Sequence, residues 1–385
     1  MLHFTQDEFE ARRARLQARM KQEKLDALLM FSQESMYWLT GYDTFGFCFF
    51  QCLAFKADGE MRLLTRSADL RQARHTSNIE TVVVWRDRGT ADPGIELRDM
   101  LQDMDLLGAR IGVEWATHGL TAANGKLVEE RLGSFAALKD ASGLVPALRA
   151  VKSPAEITYI REAARLADEA YEETLPLIRP GADESELLTA LQGTILRRGG
   201  DYPANPFIIG SGADALLCRY KSGRAKLKET DQLTLEWAGV KAQYHSALMR
   251  TVILGEPGER HLKLHAAAVE ALEAVEKAMR PGQTFGDVFD AHAAVMEAHD
   301  LARHRLSACG YSLGARYAPS WMDAPMFISG NASEIEPDMT LFAHMIIMDS
   351  ETGTAMTLGR TYLTTDGAPE PFSKLPLDLE VVRPA

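Results

Sequence analysis

The strongest constraint on the fold is an internal repeat in the second half of the chain. One long helical run ends in "IRPGADESELLTAL" at residues 178–191, and another ends in "MRPGQTFGDVFDAH" at residues 279–292. Each Arg-Pro-Gly turn is followed by a second helical run and then by apolar strands. The economical interpretation is a duplicated helix-helix-strand unit whose sheets share one core. Residues 151–385 are therefore predicted to form one α+β domain, with strand residues lining any cleft between its halves.

The first 150 residues follow a different pattern. Helical segments alternate with short apolar segments, namely "DALLMF", "MRLLT", "TVVVWR" and "RIGVEW". Such alternation is typical of an α/β domain with a mixed or parallel sheet. The next helix begins with Ser153 as N-cap, Pro154 at the first helical position and Glu156 closing a capping box. We therefore place a domain boundary near residue 150, giving domains 1–150 and 151–385.

Charge and composition exclude some partners. The formal net charge is -12 and the pI is about 5.4, so a nucleic acid or an anionic membrane surface would be repelled. The amino-terminal segment is a charged amphipathic helix without an apolar signal core, and no stretch approaches the roughly 18 apolar residues of a membrane span. We interpret the scattered cysteines as reduced core thiols; they are Cys48, Cys52, Cys218 and Cys309. A cytoplasmic protein is expected.

The stretch "TLEWAGVKAQYHSALMRT" at residues 234–251 reads as a two-stranded hairpin. It carries Glu236 on its first strand and the neighbours Tyr244 and His245 on its second. Adjacent strand residues point to opposite faces, so only one of Tyr244 and His245 can face a pocket unless a bulge intervenes. The sequence does not say which.

Several features in order resemble the creatinase and aminopeptidase P family. They are the "VKSPAEI" helix entry, the "IIGSG" strand followed by "CRYKSGR", the hairpin, the "GYSLG" turn and the closing strands. The resemblance covers nearly the whole chain and implies an α/β N-terminal domain followed by an α+β pita-bread catalytic domain. This fold hosts metallopeptidases, metal-free hydrolases, a sulfonium lyase and non-catalytic binding modules, so it does not settle the function.

The resemblance also implies where metal ligands would stand. Family peptidases hold two divalent cations with two aspartates, a histidine and two glutamates, because paired metals need several anionic ligands. Here the corresponding positions are Glu236, Ala247, Tyr311, His344 and Leu358. Since only Glu236 and His344 can act as ligands, we predict no dinuclear centre and assign no metal or other cofactor.

The pattern "AGV…YH…RT" followed by "GYS", a Trp-Asp pair and a "MT" strand resembles the ectoine hydrolases, metal-free relatives that open a cyclic amidine. The prediction is a metal-independent hydrolase of a non-peptide C–N bond in a small zwitterionic substrate. The alternatives are an Xaa-Pro peptidase-like metallohydrolase, a creatinase-like amidinohydrolase, a dimethylsulfoniopropionate lyase-type enzyme and a non-catalytic binding module.

Attack on an amidine carbon needs a nucleophile or activated water, a proton donor and an anion opposite the substrate cation. Glu236 is the candidate anion or nucleophile, and His245 or His344 the candidate proton carrier. Tyr311 can donate to a developing negative charge. The structural alternatives are an ion pair between Glu236 and Arg250, histidines hydrogen-bonded in the core, and a packed tyrosine.

Substrate binding is predicted to involve Arg219, whose planar guanidinium suits a carboxylate. The family commonly has a substrate-contacting histidine there, before the tyrosine matched by Tyr220, and its absence argues against literal creatinase activity. Trp321 and Asp323 of "YAPSWMDAP" supply a wall and a second anion, and Tyr244 is a further candidate. Each of these residues can instead be a surface or packing residue.

An aromatic run, "GYDTFGFCFFQC", stands out in the first domain because it exceeds what one strand face can bury. The resemblance implies that this segment reaches the active site of a partner subunit. We therefore expect a homodimer with shared active sites, in which Tyr42, Phe47 and Phe49 form an aromatic wall for a compact charged ligand. A core of the domain itself is the alternative.

Overall fold

The computed structural model describes residues 2–219 and 223–383. The chain divides into two compact units, Met1–Arg149 and Ala150–Ala385. The first is an α/β unit and the second an α+β unit built from the predicted repeat, so the predicted fold class is confirmed. Within the described residues, no helix combines the length and the apolar character that crossing a membrane requires.

A mixed sheet forms the centre of the first unit. Its strand order is β4-β3-β2-β1-β5-β6, and β1 joins the parallel pair β5 and β6 to the antiparallel β2 and β3. The strands are β1 (Ala27–Met30), β2 (Cys52–Lys56), β3 (Met61–Arg66), β4 (Thr81–Trp85), β5 (Arg110–Val113) and β6 (Ala137–Asp140). β1 and most of β2 are buried, as expected of central strands covered on both faces.

Short helices connect and cover these strands. The first begins at the N-cap Thr5, whose side chain accepts a hydrogen bond from the Glu8 N–H. The helices are α1 (Gln6–Glu23), α2 (Gln33–Thr40), α3 (Leu70–Thr76), α4 (Pro93–Gln102), α5 (Ala122–Leu132) and α6 (Leu144–Ala150).

The second unit contains the repeat as two successive halves. The first half begins at the predicted capping box, in which Ser153 and Glu156 each accept the other's backbone N–H. Its elements are α7 (Pro154–Thr174), α8 (Glu184–Arg197), β7 (Ile208–Ser211), β8 (Asp231–Lys241) and β9 (Tyr244–Leu254). Those of the second half are α9 (Glu259–Ala278), α10 (Phe285–Ala298), β10 (Ala308–Ser312), β11 (Asp323–Ile328), β12 (Thr340–Asp349) and β13 (Thr354–Leu363).

The two halves share one sheet of order β11-β10-β12-β13-β9-β8-β7. The last strands of the halves, β9 and β13, pair antiparallel at its centre. Two short strands, β14 (Glu370–Pro371) and β15 (Glu380–Val382), add to β13 and β9. In each half the Arg-Pro-Gly turn between the helices has its glycine at positive φ, 76° at Gly181 and 86° at Gly282. The repeat in sequence is therefore a repeat in structure.

One face of this sheet is covered by helices. The Trp237 indole on β8 donates to the Ala167 carbonyl of α7 at 2.9 Å, and its ring stacks on Tyr171. Side chains alternate along a strand, so the neighbouring Glu236 and Ala238 point to the opposite face. We call that opposite face the inner face, and it carries the candidate site.

The four cysteines are free thiols, but they are not all core residues as expected. Cys52 and Cys309 are buried, Cys218 is partly buried and Cys48 is exposed. Cys48 ends a short 3₁₀ turn that follows Phe45, which is also exposed.

Candidate active site

Strand register brings residues distant in sequence into one row on the inner face. Glu236 of β8 pairs with Met249 of β9. Met249 pairs in turn with Gly359 of β13, and Gly359 with His344 of β12. Residues directly opposite each other on neighbouring strands point to the same face. Glu236 and His344 therefore share the inner face, although three strand pairings separate them.

Tyr311 reaches the same face from β10. It pairs with Phe342, which precedes His344 by two residues on β12 and so points the same way. The Tyr311 ring lies 5.5 Å from the His344 ring and 5.4 Å from the Phe342 ring, measured between centroids. The indole N–H of Trp321 donates to the Tyr311 hydroxyl at 2.9 Å. Because that hydroxyl accepts from Trp321, its own proton is directed elsewhere.

Glu236 is a buried carboxylate, only 7% exposed, to which no group in residues 2–219 and 223–383 donates a hydrogen bond. Burial raises its pKa to about 7, and the Arg219 guanidinium opposes this shift. Arg250 is not its partner, since that guanidinium donates to the carbonyls of Met249 and Gly359. An acid left without donors in the interior is costly and is a mark of functional sites.

The other titratable groups on this face stay neutral near pH 7. Burial lowers the pKa of His344 to about 3, with a smaller contribution from His292, and the His344 Nδ1 has no hydrogen-bond partner among the described residues. Burial raises the pKa of Tyr311 well above its usual value, and the Glu236 carboxylate adds to that shift. Glu236 is thus the group of this cluster that changes protonation near neutral pH.

Arg219 lies at the exposed rim of the cluster. Its Nη2 is 3.8 Å from the Met322 sulfur, and its charge acts on Glu236, Tyr311 and His344. A cation at the rim and an acid inside can hold the two ends of a small zwitterion. Tyr220, which follows it, lies outside the described residues.

The tertiary structure decides which of Tyr244 and His245 faces the candidate site. His245 faces inward with Glu236; its Nε2 accepts the Ala204 N–H at 3.0 Å, and burial lowers its pKa to about 4. Tyr244 faces α7, where its hydroxyl donates to Glu156 at 2.7 Å. Its predicted place in a substrate pocket is therefore corrected, since the ring packs on the helix side of the sheet.

Asp323 and the aromatic residues of the first unit were also predicted to bind substrate, and the structure gives each of them other contacts. Asp323, at the start of β11, forms an ion pair with Arg316 at 3.4 Å. Tyr42 is buried in the core of the first unit and its hydroxyl donates to Gln51, so it cannot form a surface wall as expected. Phe47 is partly buried, and Phe49 is half exposed with Arg66 over its ring.

The family's five ligand positions do not fit a pair of divalent cations. The assignment of the fifth position to Leu358 was one residue out: Leu358 packs in the core with α9, and Gly359 stands in the inner row. A side chain on Gly359 would begin 2.7 Å from the Phe342 ring, so that ring fills the space. With Ala247 and Gly359 offering no donor atom, too few ligands remain for two metals.

Another cluster of possible metal ligands lies elsewhere in the described part of the chain, at His304, Asp349 and Glu351. Asp349 pairs with Arg260 at 2.6 Å, and Glu351 pairs with Arg303 at 2.8 Å. These arginines already neutralise both carboxylates. We interpret the group as a structural ion-pair network.

Sequence reasoning missed two members of the site. Phe342 contacts both Tyr311 and His344, and strand alternation from His344 could have identified it. Cys218 lies beside Glu236 and Arg219, and burial raises the pKa of its thiol. Its only signal in the sequence is that it precedes Arg219.

Comparison with known proteins identifies the families and individual proteins that this chain resembles. The model of "Metallopeptidase family M24" matches residues 158–366, and that of "Creatinase/Prolidase N-terminal domain" matches residues 12–151. The ectoine hydrolase of Halomonas elongata is 27% identical over 99% of this chain and 98% of its own length. The Xaa-Pro dipeptidase of Pyrococcus furiosus is 22% identical over 46% of this chain and 51% of its own. The prolidase structure from Thermococcus sibiricus superposes with a TM-score of 0.87 at 18% identity, covering 97% and 99% of the two chains.

Proposed function

The chain belongs to metallopeptidase family M24, and we propose that within this family it is a metal-independent hydrolase of a non-peptide C–N bond. The substrate class is a small zwitterion with an amidine or similar cationic carbon, and an ectoine-type cyclic amidine is the first candidate. The similarity to the ectoine hydrolase of Halomonas elongata along almost the whole chain supports this choice.

The observation that carries the proposal is the Glu236 carboxylate. It occupies the first metal-ligand position of the family, yet its row partners on the inner face offer a thioether, a glycine and one imidazole. A buried acid with a pKa of about 7 and no donor among the described residues is poised to exchange a proton with a substrate or a water. It also provides the negative charge that a cationic amidine requires.

Hydrolysis proceeds by attack of water on the amidine carbon. Glu236 removes a proton from the water, the water oxygen bonds to the carbon, and the C=N electron pair moves to nitrogen. Collapse of the tetrahedral carbon forms the C=O bond and breaks the bond to the departing nitrogen. That nitrogen takes both protons of the water by way of Glu236, so an amide and an amine result.

Two neighbours assist this chemistry. The Tyr311 hydroxyl, fixed by the Trp321 N–H, donates its proton toward the oxygen as negative charge develops. His344 stays a neutral imidazole and orients the substrate through a ring nitrogen. We therefore assign the proton transfer near neutral pH to Glu236, and His245 to positioning through its bond with Ala204.

Arg219 completes the recognition of a zwitterion. Its guanidinium at the rim pairs with the substrate carboxylate, while Glu236 inside accompanies the cationic carbon. The loop residue Asp323 is already paired with Arg316, so we give it no part in the reaction. A compact molecule with charges at both ends fits this arrangement better than an extended peptide.

Metal content and substrate range test the proposal together. Protein purified without added metal should contain far less than one transition-metal ion per chain, and chelator should leave activity unchanged. Ectoine, hydroxyectoine, creatine, Xaa-Pro dipeptides and dimethylsulfoniopropionate would be assayed in parallel with chelator present. Two ions per chain, removed together with peptidase or lyase activity, would contradict the proposal. Inactivity on every compound with and without metal would favour the binding module.

We also propose a homodimer in which the aromatic run of the first unit serves the partner's site. The supporting observation is that Phe45 is 83% exposed and Phe49 is 49% exposed. Phe47→Ala should lower turnover without loss of fold, and mixed dimers with Glu236→Gln should recover activity because one site of each is intact. If demonstrably mixed dimers do not recover activity, the aromatic run serves only its own unit.

Free thiols at all four cysteines support a cytoplasmic location.

A further inference from the structure

A second buried carboxylate holds the segment that carries Arg219. Glu184 is the first residue of α8 and is 0% exposed. Its Oε1 accepts hydrogen bonds from the Ser211 N–H at 2.9 Å and the Ser211 hydroxyl at 2.7 Å. Its Oε2 accepts the N–H groups of Gly223, Arg224 and Ala225, each at 3.3 Å.

These bonds connect the two ends of one chain segment. Ser211 ends β7, Gly223 lies beyond Arg219, and both are tied to the same carboxylate. Backbone bonds strengthen the connection, since the Glu184 N–H donates to the Ala225 carbonyl at 3.0 Å. Fixing the chain on both sides of Arg219 restricts the positions that Arg219 can reach.

Arg219 depends on this support because, among the described residues, the hydrogen-bond acceptor for its side chain is a sulfur atom. The Met322 sulfur, at 3.8 Å, is a poor acceptor. The distance between the Arg219 charge and Glu236 is therefore set by the backbone of the segment. Glu184 accepts hydrogen bonds on both carboxylate oxygens, so it has no free acceptor for a substrate.

We propose that Glu184 is a positioning residue that holds Arg219 at the rim of the site and thereby sets the affinity for the substrate carboxylate. The inference rests on the proposed function, in which Arg219 binds that carboxylate. It acts through the backbone of the segment and takes no direct part in the proton transfer assigned to Glu236.

Glutamine is the informative substitution at this position. A carboxylate offers acceptors on both oxygens, whereas an amide has one acceptor oxygen and one donor NH₂. In Glu184→Gln the NH₂ must face either the Ser211 donors or the N–H groups beyond Gly223, so one end of the segment is released. Glu186→Gln is the matched control, because Glu186 lies in the same helical turn, is partly exposed and pairs with Arg179.

The experiment combines trypsin cleavage with kinetics on ectoine. Cleavage after Arg219 should be roughly tenfold faster in Glu184→Gln than in the wild type or Glu186→Gln, since cleavage follows local opening. The KM for ectoine should rise roughly tenfold with kcat within about twofold, as expected when ground-state binding is lost. Glu184→Gln combined with Arg219→Ala should be no worse than Arg219→Ala alone. Ser211→Ala, which removes one donor, should give a smaller change in the same direction and serves if Glu184→Gln does not fold.

The outcomes separate the inference from the proposed function. Arg219→Ala raising KM while Glu184→Gln and Ser211→Ala leave it unchanged would overturn the positioning role alone. Arg219→Ala without effect on KM, or no hydrolysis of ectoine, would contradict the proposed function. In that case the cleavage rate after Arg219 still decides whether Glu184 holds the segment, and an unchanged rate would overturn that as well.

Discussion

The region around Glu184 and the region around Glu236 each contain a buried carboxylate, and their surroundings are opposite. Glu184 accepts five hydrogen bonds, whereas Glu236 accepts none from the residues that the structure describes. An ionised carboxylate can be buried at a small cost in free energy when hydrogen-bond donors of the protein replace its bound water. Without such donors, burial favours the neutral form of the acid. The first carboxylate is bound by the protein, and we propose that the second binds a ligand.

Glu114 in the first unit shows that a raised pKa alone does not make this distinction. Burial raises its pKa to about 7, as in Glu236, yet it accepts hydrogen bonds from the Phe31 N–H, the Ser32 N–H and the Ser35 hydroxyl. Its oxygens are occupied within its own unit. Within residues 2–219 and 223–383, Glu236 differs from this acid in having no hydrogen-bond donor and a cation, Arg219, at the rim.

The largest expected effect is on turnover. Glu236→Gln keeps the side-chain shape but removes the base and the anion, so kcat should fall by roughly two to four powers of ten. Steady-state kinetics on the responding substrate measures this. Near-normal turnover in Glu236→Gln would show that Glu236 takes no part in the reaction. Both buried carboxylates, Glu184 and Glu236, would then be structural.

Tyr311→Phe tests whether the Tyr311 hydroxyl donates a hydrogen bond to the reacting substrate. Loss of one preorganised hydroxyl should lower kcat by roughly 100-fold. Trp321→Phe is the control, because it keeps the Tyr311 hydroxyl and removes only the bond that orients it. Its effect on kcat should be smaller. An unchanged kcat in Tyr311→Phe, which keeps the ring, would indicate that Tyr311 acts only through packing.

The pH dependence distinguishes Glu236 from the histidines. Since Glu236 must be ionised to act as a base and its pKa is about 7, kcat/KM should fall about tenfold per pH unit below that value. His344→Asn should keep this limb, because burial lowers the pKa of His344 to about 3. A limb that disappears in His344→Asn would return the proton transfer to the histidine.

The smallest effect is on stability, where the two regions should differ in sign. Folding raises the pKa of Glu236 above its ordinary 4.5, so the folded state loses stability as the pH rises from that value through about 7. Glu236→Gln lacks this loss and should melt higher than the wild type at pH 8 but not at pH 4. Glu184→Gln should instead lose roughly 1–3 kcal/mol, because buried donors lose their acceptor. Thermal melting at both pH values checks the signs, and a stabilised Glu184→Gln would break the comparison.

Much of the fold could be predicted from residues that are close together in the sequence. The Arg-Pro-Gly turns, the capping box at Ser153 and the alternation of strands with helices depend on residues close to one another along the chain. The prediction that no dinuclear metal centre forms also came from the sequence, because the Ala247 side chain cannot bind a metal, and it stays a prediction. The assigned roles of Glu236, Tyr311, His344 and Arg219 remain predictions.

Only the tertiary structure decided which side chains meet. That His245 faces inward while Tyr244 joins α7, and that Gly359 rather than Leu358 stands in the inner row, follows from strand register, and one residue of slip exchanges the two faces. The burial of Tyr42, and the lack of a donor to Glu236 in the described part of the chain, depend on residues far away in sequence. Sequence thus determined the elements and the residue types available. Long-range pairing and packing decided that Glu184 accepts hydrogen bonds from the described residues and that Glu236 does not.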